Sequence, residues 1–299
     1  MKPFFICLMM IAGVVNLMQV AQAETIHRER SIYRNIVIVE EQGRRCMRFE
    51  TRRTGNQNQA CIDLVNPDQL VFEYTQSIMA TLFVRKTPKT ILVIGLGGGL
   101  LPMALHDILP DTEITSVEID PAVVKLAKQY FNYAENEKIK SVVQDGRVFI
   151  KRAGMLGKQY DWVILDAFNG DYIPEHLMTQ EFLKEVKSIL PQGGIVTANT
   201  FSGSRLYDYE SVTYQSVFGD LFTLKSPNRS NRIIIGCRCD LTIAEQYLSD
   251  NAAGWKPGFR KFGLNTNQLL VLFSREVDWN IDSPVLTDQF SPANLLNQN

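Results

Sequence analysis

The stretch Ile91-Leu-Val-Ile-Gly95-Leu-Gly97-Gly98-Gly99 decides how the rest of the chain is read. A short apolar run, three of its four residues β-branched, predicts a buried strand, and the glycines follow it directly. A helical pattern opens near Leu100, with Pro102 tolerated in its first turn. Glycines let the backbone approach a ligand closely, and a helix N-terminus offers unpaired N–H groups to an anion. Such a turn occurs at many strand–helix junctions, so its surroundings carry the meaning.

Downstream, short apolar runs alternate with amphipathic segments. Candidate strands are Ile91–Ile94, Ile114–Val117, Ser141–Val143, Trp162–Leu165, Ile195–Ala198 and Ile233–Ile235. Candidate helices are Leu100–Leu109, Pro121–Phe131, Arg147–Ala153, Glu175–Leu190 and Ser204–Phe218. This rhythm predicts an α/β core over 70–240 with a parallel sheet covered on both faces. Four strand ends carry polar residues: the glycine loop, Val117-Glu118-Ile119-Asp120, Gln144-Asp145-Gly146 and Leu165-Asp166-Ala167-Phe168. Glu118 falls about 20 residues beyond the glycines, where a carboxylate accepts from ribose hydroxyls. Gly95, Gly97, Gly98, Gly99, Glu118, Ile119, Asp145, Gly146 and Asp166 are therefore the expected nucleoside-binding set. The simpler reading of Glu118 is a helix cap, since Asp120-Pro121 opens a helix. A dinucleotide fingerprint would need a third glycine where Leu100 stands. That absence, with the Val117-Glu-Ile-Asp120 and Gln144-Asp-Gly146 signatures, favours an S-adenosylmethionine-type ligand.

Upstream, 31–66 alternates like a small β-hairpin module, with turn signals at Gln42-Gly43 and Thr54-Gly55-Asn56. Its arginines (Arg44, Arg45, Arg48, Arg52, Arg53) read as a solvated face. Val71 to Arg85 has helical spacing. Residues 241–299 form a less regular extension, with a helix near Ile243–Leu248 and a strand at Leu269–Phe273.

Residues 1–23, MKPFFICLMMIAGVVNLMQVAQA, combine a positive start, an apolar run and the small-x-small pattern Ala21-Gln22-Ala23. This is the layout of a signal peptide and predicts export to the periplasm. Cleavage would leave 276 residues with a formal charge of −2, one lysine fewer than the full chain. The alternative is an uncleaved inner-membrane anchor over residues 3–20, favoured by the positive charges of Arg28, Arg30 and Arg34 that follow. Of the five cysteines, Cys46 and Cys61 flank a polar turn and predict either a disulfide or two buried thiols. Cys237 and Cys239 alternate on one strand face without a neighbouring histidine, so no metal is expected. The whole chain, 299 residues with 45% hydrophobic residues and a formal charge of −1, has ample material for a core. It lacks the basic excess of a nucleic-acid binder.

Val93–Phe131, Asp145-Gly-Arg-Val-Phe-Ile150 and Tyr160-Asp-Trp-Val-Ile-Leu-Asp166 together resemble the spermidine synthase family, as does Ser31-Ile-Tyr33 opening a strand that ends at Val39-Glu40. The resemblance implies a small N-terminal β-domain and a Rossmann-like class I S-adenosylmethionine-dependent methyltransferase fold with a seven-stranded sheet. It implies S-adenosylmethionine or its decarboxylated form as cosubstrate, and a small-molecule amine as acceptor. By it, Glu118 holds the ribose, Asp145 and Gly146 the adenine, and Asp166 borders the thioether.

The chain departs from the family at three places. Gly98 stands where an aspartate holds the amine of the decarboxylated donor. Asn169 stands where the loop carries a general-base aspartate. Tyr74-Thr75-Gln76 replaces Tyr-His-Glu. An amide cannot accept a proton from an ammonium group near neutral pH. Gly98 also removes a charge that would repel the carboxylate of intact S-adenosylmethionine. Asp166-Ala-Phe-Asn-Gly-Asp171-Tyr-Ile-Pro174-Glu-His176 and Val285-Leu-Thr-Asp288-Gln-Phe resemble a divergent spermidine-synthase-like branch with members fused to membrane transporters.

Asp166, Asp171 and Asn169 are the expected catalytic set, with His176 a further acid–base candidate. Asp288 is expected to cap a helix starting near Ser291, and Tyr207, Tyr209 and Tyr214 to pack. The expected function is alkyl transfer, aminopropyl or methyl, to an amine or other nucleophile. The alternative is a nucleoside-binding envelope protein that kept the fold and lost its acids. A homodimer is open.

Overall fold

The computed structural model describes residues 23–50, 56–85, 87–168, 172–225, 231–239 and 243–291. Residues 1–22 of the expected signal peptide and the loop residues Asn169 and Asp171 therefore lie outside the described residues.

The chain begins with a four-stranded antiparallel sheet in sequence order: β1 Glu24–Arg30, β2 Asn35–Glu41, β3 Arg44–Glu50 and β4 Asn56–Asp63. It starts seven residues before the predicted module. The β2–β3 turn uses Gln42 and Gly43, both at positive φ, as a two-residue hairpin requires. Cys46 and Cys61 sit directly opposite each other and form a disulfide. One face of this sheet, with Ile36, Ile38, Met47 and Phe49, packs on Val123, Leu126 and Phe131 of the core.

Helix α1 (Glu73–Met79) runs into a 3-10 turn, Ala80–Phe83, so the predicted Val71–Arg85 helix is shorter and broken. The core then follows as β5 Thr90–Ile94, α2 Leu100–Ile108, β6 Glu113–Glu118, α3 Pro121–Tyr130, β7 Ile139–Val143, α4 Gly146–Met155 and β8 Trp162–Leu165. After it come α5 Gln180–Ser188, β9 Ile195–Phe201, α6 Tyr207–Phe218, β10 Phe222–Lys225, β11 Asn231–Cys237, α7 Glu245–Arg260, α8 Thr266–Leu270 and β12 Phe273–Ser274. The sheet order is β12-β10-β11-β9-β8-β5-β6-β7. The seven expected strands are present, and the two-residue β12 adds an eighth at the edge. Only β5 to β9 are parallel. β11 runs antiparallel to β9 and β10, which corrects the all-parallel expectation.

Three local readings are corrected. Glu175–Leu190 is not one helix: a 3-10 turn, Glu175–Leu177, precedes α5, whose N-cap Thr179 accepts from the Phe182 N–H. The apolar run at Leu269 is helical because the Asn265 side chain caps α8, accepting from the N–H groups of Asn267 and Gln268. α7 runs well past Leu248, through Gly254 and Pro257. Its aromatic face compensates: Trp255 stacks on Phe259 and Phe259 on Phe83, while Trp255 and Asn251 donate to the carbonyls of Leu82 and Phe83.

One sheet face is covered by α2, α7, α8 and the 3-10 turn around Phe83, Leu105 and Phe259. The other is covered by α4, α5 and α6 around Ile150, Phe182, Val186 and Phe218. The carboxyl ends of β5, β6 and β8 remain open beneath the N-terminal sheet, and that opening is the site.

Candidate active site

A cavity of about 440 Å³ lies between the strand ends of the core and the edge of β4. This is the size range of small-molecule pockets. It is lined by Gly95, Gly97, Gly98, Glu118, Ile119, Asp145, Gly146 and Asp166, so eight of the nine expected nucleoside-binding residues converge. Gly99 does not line it. It is the N-cap of α2 and turns toward the Tyr133 ring.

Gly95 has φ +100°, and a Cβ there would stand 2.4 Å from the Asp166 carbonyl oxygen. The absence of a side chain lets β5 and β8 end side by side, so the glycine loop and Asp166 share one wall. Gly98 is held from the other side: a Cβ would meet the Ala60 Cβ at 2.9 Å and the Phe131 ring at 3.1 Å. An acid at this position would require β4 to move. The loss of that carboxylate is therefore built into the packing of the N-terminal sheet.

Glu118 is not the helix cap. Asp120 caps α3 through the Ala122 N–H, and Asp120 in turn accepts from the Ser31 hydroxyl at 2.6 Å. Glu118 instead receives the Leu96 N–H at 3.0 Å on one oxygen and the Asp120 N–H at 3.0 Å on the other. Burial raises its pKa, opposed by those two donors and by Arg34. Its remaining lone pairs face a cavity suited to hydroxyl donors. Asp145 caps α4 with one oxygen, accepting the Val148 N–H at 2.9 Å, and its other oxygen lies 3.1 Å from His176 Nε2. His176 is thus held at the cavity wall by Asp145.

Asp166 is the carboxyl with the most unusual surroundings. Its one hydrogen-bond donor among the described side chains is the Asn199 amide at 2.8 Å, whose oxygen accepts from Asn231 at 2.9 Å. Desolvation raises its pKa from 3.8 to about 7, with the Asn199 bond acting in the opposite direction. A general base works best when its pKa lies near the working pH. Tyr74 also lines the cavity, and its hydroxyl is shifted upward by burial and by Asp166. Thr75 lines the cavity as well, whereas Gln76 is turned away to donate to the Leu70 carbonyl.

Sequence reasoning missed Arg34, Asn199 and Asn231. Arg34 stacks 4.2 Å from the Phe49 centroid, reaches the Phe168 carbonyl with a long 3.4 Å contact, and has a buried Nε without a partner among the described residues. It is the sole arginine or lysine among the described cavity residues. Asn199 carries the signal that singled out Glu118 and Asp166, a polar residue directly after an apolar strand run. Asp288 has partners that its sequence context did not suggest. Its carboxylate accepts two bonds from Arg147 at 2.7 Å and one from Thr179 at 2.7 Å; the residues of its expected helix after Ser291 lie outside the described ones. Tyr214 is buried in packing as expected, and Tyr207 lies under the Arg232 guanidinium at 3.9 Å.

Comparison with known proteins follows the same lines. The spermine/spermidine synthase domain profile matches residues 61–223. A polyamine aminopropyltransferase of Vibrio vulnificus (strain CMCP6) is 40% identical over 298 residues, covering 99% of each chain. Human methyltransferase-like protein 13 in complex with SAH has a TM-score of 0.57 at 26% identity, covering 73% of this chain and 100% of that one. A probable spermidine synthase from Corynebacterium glutamicum ATCC 13032 has a TM-score of 0.63 at 18% identity, covering 86% and 97%, which shows the shared fold. With the glycine loop, the strand-end carboxylates and the N-terminal sheet in their expected places, the chain belongs to the spermine/spermidine synthase family.

Proposed function

We propose that this protein transfers an aminopropyl group from decarboxylated S-adenosylmethionine to a small-molecule amine. The observation that carries this reading is Asp166: a desolvated carboxyl with pKa about 7, oriented by a neutral amide and open to the cavity beside the glycine loop. In the proposed reaction Glu118 accepts from the ribose hydroxyls, and the wall of Asp145, Gly146 and Ile119 borders the adenine. The acceptor nitrogen attacks the carbon attached to the sulfonium, the C–S bond breaks, and its electron pair stays on sulfur. The ammonium proton passes to Asp166. The departing thioether needs no acid, so positioning and this proton transfer supply the catalysis. Asp166 thereby takes the role expected at position 169, where this chain has an amide. The full-length likeness to a polyamine aminopropyltransferase supports the choice of donor and acceptor.

Methyl transfer from intact S-adenosylmethionine is the second reading, favoured by Arg34: a cation in the wall suits a donor that keeps its carboxylate. Incubation of the purified protein with each donor and a panel of diamines separates the two. Release of methylthioadenosine from the decarboxylated donor is expected; release of S-adenosylhomocysteine instead would transfer the proposal to methylation. Turnover of neither, with tight donor binding, would restore the binding-only alternative, which an open, poised Asp166 does not favour. Export of the chain and a homodimeric state are proposed from sequence alone. They are checked by the mature N-terminus, expected at Glu24, and by light scattering.

A further inference from the structure

The chain carries a second disulfide that the sequence reading did not foresee, between Cys237 and Cys239. It lies at the amino-terminal edge of the sheet, where Cys237 pairs with Ile195. The same strand, β11, reaches the opposite edge at Asn231, beside the cavity. The two disulfides have different physical meanings. Cys46–Cys61 spans a separation of 15 residues, and both its cysteines are buried in a small apolar cluster. Cys237–Cys239 spans a separation of 2. The restraint a disulfide places on the unfolded chain grows with the loop it closes, so this bond contributes least as a staple. Successive same-face residues of an extended strand stand about 6.6 Å apart. Here the Cα atoms are 5.1 Å apart, because the chain bends as β11 ends.

Access and charge point the same way. Cys237 is 2% exposed and Cys239 is half-buried; both line a recess of about 290 Å³ outside the nucleoside cavity. Arg85 lines the same recess. It donates to the Gly193 carbonyl and to Asp161, and keeps a buried Nε without a partner among the described residues. Arg238, between the two cysteines, donates to the Leu190 carbonyl. Arg85 brings positive charge, partly offset by Asp161, to the recess that both cysteines line, and positive charge near a sulfur favours the thiolate that leaves on exchange.

We propose that Cys237 and Cys239 form a thiol–disulfide exchange site whose partner is a dithiol. The partner thiolate attacks the accessible sulfur of Cys239. The Cys237–Cys239 bond breaks, and its electron pair goes to the Cys237 sulfur, which takes up a proton. The partner's second thiolate then attacks its own sulfur in the mixed disulfide and releases Cys239 as a thiolate that is protonated. The dithiol leaves as a disulfide, and the protein gains two electrons and two protons.

The test equilibrates the oxidised full-length protein in buffers of stepped reduced-to-oxidised dithiothreitol ratio. After an acid quench, free thiols are alkylated and each cysteine peptide is read by mass spectrometry. Half-reduction of Cys237–Cys239 is expected at a ratio at least tenfold lower than for Cys46–Cys61. A separation under tenfold, the reverse order, or oxidised protein in which Cys237 and Cys239 are not linked overturns the proposal. Cys239→Ser should abolish the early step and leave the Cys46–Cys61 midpoint in place; an early step that survives the substitution also overturns it.

Discussion

Asp166 and Glu210 are both carboxyls whose pKa burial raises to about 7, and they do opposite things. Asp166 ends β8 at a cavity, and its described side-chain partner is an uncharged amide. Glu210 sits 3% exposed in α6, with the fully buried Arg232 guanidinium at 3.2 Å. That guanidinium also donates to Thr200 and Ser211 and stacks on Tyr207. A shifted pKa alone therefore does not mark a site. What separates the two is the counter-charge and the opening: Glu210 is closed off beside its cation, whereas Asp166 has room for a cation to arrive. An amine acceptor would fill the place in the cavity that Arg232 fills in the packing layer.

The largest expected effect comes from removing the proton acceptor. Asp166→Asn should lower kcat by about 10²- to 10⁴-fold, the range for losing a general base, with donor affinity nearly unchanged. Wild-type kcat should rise through pH about 7 as Asp166 ionises, and that limb should vanish in the variant. Stability should move the other way. A carboxyl whose folded pKa is raised destabilises the fold progressively as pH climbs from its unfolded value near 4 through about 7. Asp166→Asn should therefore melt higher than wild type at pH 8 and equally at pH 4. A variant that keeps full turnover would place the base elsewhere.

Glu210→Gln should show the reverse pattern. It leaves Arg232 charged and buried without its carboxylate, a change that costs about 3–5 kcal/mol in such pairs. Chemical denaturation should show that loss, while the residual folded enzyme keeps its pH profile. If Glu210→Gln instead changed the pH limb and left stability intact, the division between the two carboxyls would be wrong.

Glu118→Ala should act at the binding stage. Charge-assisted hydrogen bonds contribute about 1.5–3 kcal/mol each, so donor affinity should fall roughly tenfold to a hundredfold by calorimetry. Arg34→Gln sharpens the same point at the neighbouring cation. It should weaken intact S-adenosylmethionine relative to its decarboxylated form, and an unchanged ratio would remove the observation that favours methyl transfer.

Much of this site was legible in the chain because parallel strands end together. An apolar run followed by a polar residue identifies a strand end, and the fold brings those ends to one crevice. Gly95, Glu118, Asp145 and Asp166 were all found that way. Asn199 obeys the same rule but is masked by the strand itself, since β9 continues past the apolar run to Phe201. Arg34 could not be read so, since its position depends on how the N-terminal sheet packs on α3, and one hairpin arginine looks like another. The same limit explains α7. Gly254 and Pro257 weaken a helix locally, but Trp255 and Phe259 stack against Phe83, and that long-range contact leaves no local sign. The Cys237–Cys239 bond was hidden because alternating residues on a straight strand are too far apart to join, and only the bend at the end of β11 brings them together.

A third carboxyl completes the comparison and carries the smallest effect. Asp288 is drawn down to about 2, chiefly by its hydrogen bonds from Arg147, with Thr179 helping. Unlike Asp166 it has its cation, and unlike Glu210 it stands in solvent, with its side chain 43% exposed. A depressed folded pKa contributes stability that is present above the unfolded value near 4 and lost as pH falls toward about 2. Solvent screening limits such a pair to about 1 kcal/mol or less, and Arg147 retains Glu185 when Asp288 is changed. Asp288→Asn should therefore cost little at pH 7, and the difference from wild type should shrink as the buffer is taken from pH 4 to pH 2. Raised salt should narrow it at pH 7 as well. A loss as large as that of Glu210→Gln, insensitive to salt, would mean that the Arg147 pair behaves as buried. Exposure would then no longer distinguish the two kinds of ion pair in this protein.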